Sequence, residues 1–151
     1  MKRPLLSRTH RTLMCLVAAA LITSVLKAED EDHRCSLRSV SGTFGYVVTG
    51  IRNGVGPVAG AGELTFHQDG TISDGKQTVS FGGVIADETY SGTFTVNSDC
   101  SGSFTVDVAS PIAPRTSHVD LVWVDDGNGA KAIFTDAGTI LTADAKRLFP
   151  R

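Results

Sequence analysis

No Asp or Glu occurs in the first 28 of the 151 residues, although the chain holds 16 of them. That stretch carries Lys2, Arg3, Arg8 and Arg11, then the uncharged run LMCLVAAALITSVL at 13–26, then Lys27-Ala28. A basic start, a short apolar run and a small residue before polar sequence form the pattern of a secretory signal peptide. Residues 1–28 are therefore expected to be removed, leaving a secreted or periplasmic product. The run falls short of the ~20 residues that span a bilayer, which disfavours an uncleaved anchor. Cys15 lies inside the run and is expected to leave with it.

The remaining 29–151 suits one domain. It lacks sustained helical periodicity, a Gly-x-Ser-x-Gly elbow, a phosphate-cradling glycine loop and any Cys-x-x-Cys. Cations are scarce too: 9 Lys or Arg face 16 acids, a balance of −7. That balance argues against nucleic acid and against anionic membranes as partners. Part of it is the run Glu29-Asp30-Glu31-Asp32, read as a solvated tail rather than a metal site. Residues 29–38 form this tail and an N-terminal arm, and 39–149 form the folded domain. No metal and no cofactor is expected.

Two cysteines remain, Cys35 and Cys100. In an exported chain an isolated pair is expected to form a disulfide.

What is abundant is alternation and turn chemistry. Turn signals fall at Arg52-Asn53-Gly54, Gln68-Asp69-Gly70, Phe81-Gly82-Gly83, Asn97-Ser98-Asp99, Pro111 to Pro114, Asp126-Gly127-Asn128-Gly129 and Asp136-Ala137-Gly138. Between them lie strands over roughly 39–50, 58–67, 71–81, 84–96, 100–109, 116–125, 130–135 and 139–148. The last, LTADAKRLF, has a short helix as its alternative. Eight strands with short links and no room for crossover helices predict an all-β fold. An eight-stranded antiparallel up-and-down barrel is expected, with a β-sandwich as the alternative. In such a meander Cys35 and Cys100 fall at the same end, so their bond would draw the arm across that end and close it.

The phrase SGTFTVNSDCSGSF at 91–104 repeats itself around Cys100. Pairing Val96 with Cys100 leaves a three-residue loop and sets Phe94 opposite Gly102 and Gly92 opposite Phe104, each ring covering a glycine. The rival register pairs Val96 with Gly102 across a five-residue loop.

The stretch YSGTFTVNSDCSGSF (90–104), with SVSGTFGY (39–46), LTFHQDGTI (64–72) and TDAGTILTADAKR (135–147), resembles small exported bacterial proteins of unknown function. These carry a similar Gly-Thr-aromatic-Thr-Val-Asn-x-Asp-Cys phrase. The resemblance covers nearly the whole mature chain and brings no catalytic motif. The architecture is also similar to the calycin and allene oxide cyclase barrels, at fold level only.

Few residues carry chemistry. Glu63 and His67 share a strand face that reads as exposed. His118 and Asp120, two apart, project to one side, opposite Trp123, and that side is assigned to solvent. The DDGNG at 125–129 has the composition of a calcium loop without its ligand spacing and reads as a turn. Glu88 and Tyr90 share the inner face near the open end, with Tyr46 and Trp123 as neighbours. A polar group among aromatics is what orients a small ligand in a pocket. The inner glycines Gly42, Gly62, Gly92 and Gly102 either mark sharp coiling or leave space. The reading is a barrel without an assigned reaction that takes a small apolar or aromatic molecule in its mouth at Tyr46, Glu88, Tyr90 and Trp123. One alternative is a fully packed structural or surface-interaction module. The other is an isomerase- or cyclase-type enzyme using Glu88 or His118.

Overall fold

A computed structural model describes residues 34–149. The expected signal peptide and the acidic run at 29–32 lie outside the described residues. Eight strands close into one antiparallel barrel in sequence order. They are β1 (Gly42–Arg52), β2 (Gly56–Phe66), β3 (Thr71–Phe81), β4 (Val84–Val96), β5 (Ser101–Ala109), β6 (Arg115–Val124), β7 (Gly129–Phe134) and β8 (Thr139–Arg147). β8 pairs back onto β1, with Phe44 opposite Arg147 and Arg52 opposite Thr139, so no edge is left open. The segment with a helical alternative is therefore a strand. Before β1 the chain forms one helical turn, α1 (Leu37–Val40), where a strand is expected from residue 39. The Ser36 and Ser39 side chains cap it reciprocally, and this local hydrogen bonding wins over the apolar alternation.

An up-and-down path divides the turns between two ends. The links at 67–70, 97–100 and 125–128 lie at one end, together with α1. Those at 53–55, 82–83, 110–114 and 135–138 lie at the other.

The α1 end is closed. Val40 and Phe44 are fully buried, and Phe44, Phe66, Phe94 and Trp123 meet edge-to-face with centroids 4.8–6.5 Å apart. The Arg147 guanidinium lies 4.8 Å from the Phe44 ring centre. It donates to the Ser41, Ser39 and Gly127 carbonyls and to Asn128 Oδ1, binding α1 and the 125–128 turn to the end of β8. Cys35 and Cys100, 65 positions apart in sequence, form the expected disulfide at this end.

The hairpin around Cys100 takes the rival register. Val96 pairs with Gly102, Phe94 with Phe104 and Gly92 with Val106. No ring covers a glycine there. The reason is the turn itself: Cys100 has φ 67, which a paired strand residue does not adopt. Its N–H donates to Asn97 O, and Asn97 N–H donates to Ser101 O. The turn is a twin of the one at 67–70. In each an aspartate Oδ1, of Asp69 or Asp99, accepts from the N–H and hydroxyl two residues on. Gly70, at φ 84, stands where Cys100 stands. The repeated phrase thus frames a turn whose left-handed position is filled by cysteine instead of glycine. Gly92 and Gly102 mark close strand approach, because a Cβ on either would meet a neighbouring carbonyl oxygen at 2.0 or 2.3 Å.

Candidate functional site

Between the aromatic base and the open end, five inward side chains from four strands form a polar belt. Glu88 on β4 has a side chain with no exposure. Arg115, the first residue of β6, grips it with both Nη atoms, each 2.7 Å from a carboxylate oxygen. Gln77 on β3 donates from Nε2 to Glu88 Oε2 at 2.7 Å and accepts from the Tyr46 hydroxyl at 2.7 Å. Tyr46 in turn accepts from the Tyr90 hydroxyl at 2.8 Å, and Glu63 O lies 3.0 Å from the same hydroxyl. A carboxylate only accepts, so the Gln77 amide has one orientation and the chain of donors runs from the tyrosines to Glu88.

A β-bulge makes the belt possible. β3 carries one extra residue between Ile72 and Gly75, with Asp74 at φ 54. The slip moves the inward set of β3 from the parity of Ile72 to that of Gln77 and Val79. It also brings Gly75 under Tyr90, whose ring lies 2.3 Å from where a Cβ would stand.

The electrostatics follow from burial. Desolvation pushes the Glu88 carboxyl up, but hydrogen bonds from Arg115, Ser110 and Gln77 and the Arg115 charge outweigh it and hold it below the usual carboxylate range. Burial raises the Tyr46 hydroxyl to about 12 despite the lowering hydrogen bond from Tyr90. Burial raises Tyr90 further, helped by Tyr46. At neutral pH the belt is therefore one closed ion pair and two protonated phenols.

On either side of the belt lies a cavity. A chamber of about 60 Å³ sits below it, walled by Leu64, Val106, Val108, Leu121, Ala132 and Ala143 and touching Tyr46 and Tyr90. A mouth of about 170 Å³ opens above it, among Arg52, Val58, Val79, Phe81 and Leu141. Gln77, Arg115, Ser117 and Phe134 line both.

Of the expected ligand residues, Tyr46, Glu88 and Tyr90 come together in the belt. Tyr46 and Tyr90 reach the chamber. Glu88 stands behind Arg115 and Gln77, which present the polar surface in its place. Trp123 is not a neighbour of the belt: it packs in the aromatic base, 5.0 Å from the Phe66 ring centre, and its indole N–H has no hydrogen-bond partner among the described residues. Gln77 and Arg115 were missed. Gln77 shares the inward parity of Val79, which was legible. Arg115 follows Pro114 and reads as turn, although the parity of Ser117 turns it inward. A buried carboxylate needing a cation is the signal that would have found it.

His118 lies on the outer wall with Asp120, as expected, and its Nδ1 is 2.8 Å from Asp136 Oδ1 in the β7–β8 turn. Glu63 pairs with Lys76 at 2.9 Å on the outer surface. Among the described residues no three His, Cys, Asp or Glu side chains are grouped to hold a metal ion. Residues 125–128 form the β6–β7 turn, with Asp125 and Asp126 at φ 54 and 53.

Comparison with family models, with curated proteins and with solved structures found no match to this chain.

Proposed function

We propose that this is an exported binding barrel that admits one small apolar or aromatic molecule through its open end. The observation that carries the reading is an apolar chamber under a fully hydrogen-bonded polar belt, in a barrel closed at its far end only. Such a site joins apolar walls to a few placed polar groups. Tyr46, Tyr90, Gln77 and Arg115 would orient the ligand, and Leu64, Val106 and Val108 would surround it. A cavity of about 150 Å³ holds a benzene ring, so the mouth of about 170 Å³ takes one ring, and the chamber of about 60 Å³ takes only a smaller apolar group that reaches past Gln77 and Arg115. Export is part of the same proposal: it rests on the basic, acid-free start and on a disulfide, which forms in oxidising compartments.

The smallness of the chamber favours a second reading, a packed module without ligand. An isomerase or cyclase reading draws little support, since both Glu88 oxygens are occupied and His118 is outside. Native mass spectrometry on protein purified from its own host separates the first two. A co-purifying small molecule, released on denaturation and reduced in an Ala132→Leu variant, supports binding. Protein of bare chain mass at high sensitivity favours the packed module.

A further inference from the structure

Gln77, Arg115, Ser117 and Phe134 stand where the mouth meets the chamber. A molecule that fills the mouth and reaches the chamber passes between them. Ser117 is the polar side chain there that the belt leaves out. It is 4% exposed, yet its hydroxyl forms no hydrogen bond with any described residue. Alternation alone asks for an apolar side chain at this position. The inward residues that follow it on β6 are Val119, Leu121 and Trp123, and Val106 lies opposite it on β5. A buried hydroxyl left without a partner costs stability. Set against a cavity, it is a contact waiting for a ligand.

Arg115, two residues earlier on the same inner face, has donors to spare. Its Nη1 donates to Glu88 and to the Ala113 carbonyl, and its Nη2 donates to Glu88. A guanidinium carries more N–H groups than these bonds use: the Nε–H and the second hydrogen of Nη2 remain. They lie on one edge of the planar group and point the same way. The unused groups at the junction are thus mainly donors, and they call for an acceptor on the ligand.

Charge decides which acceptor. Glu88 already balances Arg115. The other charged residues that line the mouth, Arg52 and Asp136, are one of each sign. A carboxylate brought to the junction would be desolvated and would meet the Glu88 charge. A neutral oxygen avoids both costs and still gains the stronger hydrogen bond that a charged donor gives. We infer that the ligand carries a neutral carbonyl, as in a ketone, aldehyde or ester, whose oxygen accepts from Ser117 and Arg115. Its ring occupies the mouth and a smaller apolar group on the far side of the carbonyl enters the chamber. The inference rests on the binding reading above and names the polar group of that ligand.

The test uses probes of nearly one shape. They are acetophenone, α-methylstyrene, in which a methylene replaces the carbonyl oxygen, and benzoate, in which a charged oxygen replaces the methyl group. Dissociation constants are read by NMR titration at the methyls of Val106 and Val108, which lie opposite Ser117 and Arg115. Acetophenone is expected to bind about tenfold tighter than α-methylstyrene, and tighter than benzoate. Ser117→Ala should narrow the preference for acetophenone over α-methylstyrene about threefold or more. A role in packing alone would move both affinities together. Near-ultraviolet circular dichroism of Trp123 checks that the variant is folded. The inference is overturned, and the binding reading kept, if α-methylstyrene binds as tightly as acetophenone, if benzoate binds tightest, or if folded Ser117→Ala keeps the full preference. Binding of none of the probes overturns both.

Discussion

At the residue scale the barrel depends on one charge inside it. Glu88 is fully covered and Arg115 largely so; Glu88 is held by Arg115, Gln77 and Ser110, and Arg115 by Glu88 and the Ala113 carbonyl. Removing one partner of such a pair strands a buried charge. Glu88→Ala is expected to cost about 3 kcal/mol or more in urea unfolding. The double variant Glu88→Leu/Arg115→Met is expected to recover most of that loss, since a buried pair gains little over apolar side chains of similar volume. Acid should act through the same residue. The folded Glu88 carboxyl is held below its unfolded value, so its stabilisation is present above the unfolded pKa and fades as pH falls through the folded one. The acid limb of an unfolding curve should therefore flatten in Glu88→Gln; the lowered carboxyls of Asp69 and Asp99 leave a residual slope. Tyrosine works in the opposite sense. Tyr46 is raised from 10.0 to about 12, so the folded state holds a proton that the unfolded chain releases first. Stability should fall as pH rises between those values, and Tyr46→Phe should blunt the fall.

At the element scale the twin turns tie sequence to packing. Their shared aspartate was legible only as turn composition, whereas the left-handed cysteine was not legible at all. Side-chain parity fixes facing but not loop length, so 91–104 allowed two registers and the backbone angle of Cys100 chose between them. Closing a loop between cysteines 65 positions apart removes chain entropy of about 4 kcal/mol from the unfolded state. The variant Cys35→Ala/Cys100→Ala should therefore unfold at clearly lower urea. Replacing Cys100 by Gly instead, as in the twin turn, should give back about 1 kcal/mol, because glycine takes φ 67 without strain. Equal midpoints for the two variants would mean the cysteine bears no backbone strain. α1 escaped notice for a related reason: a one-turn helix capped by two serines has too few residues to display a period.

At the scale of the whole molecule, strand count, order and closure were readable because every link is short and every strand alternates. The position of the disulfide followed from the meander alone. The belt was half readable: parity gathers Tyr46, Glu88 and Tyr90, but a bulge in β3 and a strand beginning one residue early decide that Gln77 and Arg115 complete it. Trp123 shared the inner face yet lies at the base, because facing says nothing of height along the barrel. The central claim is that the interior beneath the belt is reached from the open end by a small apolar molecule. Methyl-resolved NMR under rising xenon pressure, a smaller apolar probe than benzene, tests it most directly. Saturable shifts are expected at Leu64, Val106, Val108 and Ala132, with Val79 and Leu141 of the mouth following. Shifts confined to outer methyls such as Ile85 and Ile140, or no saturable shift at all, would contradict the account.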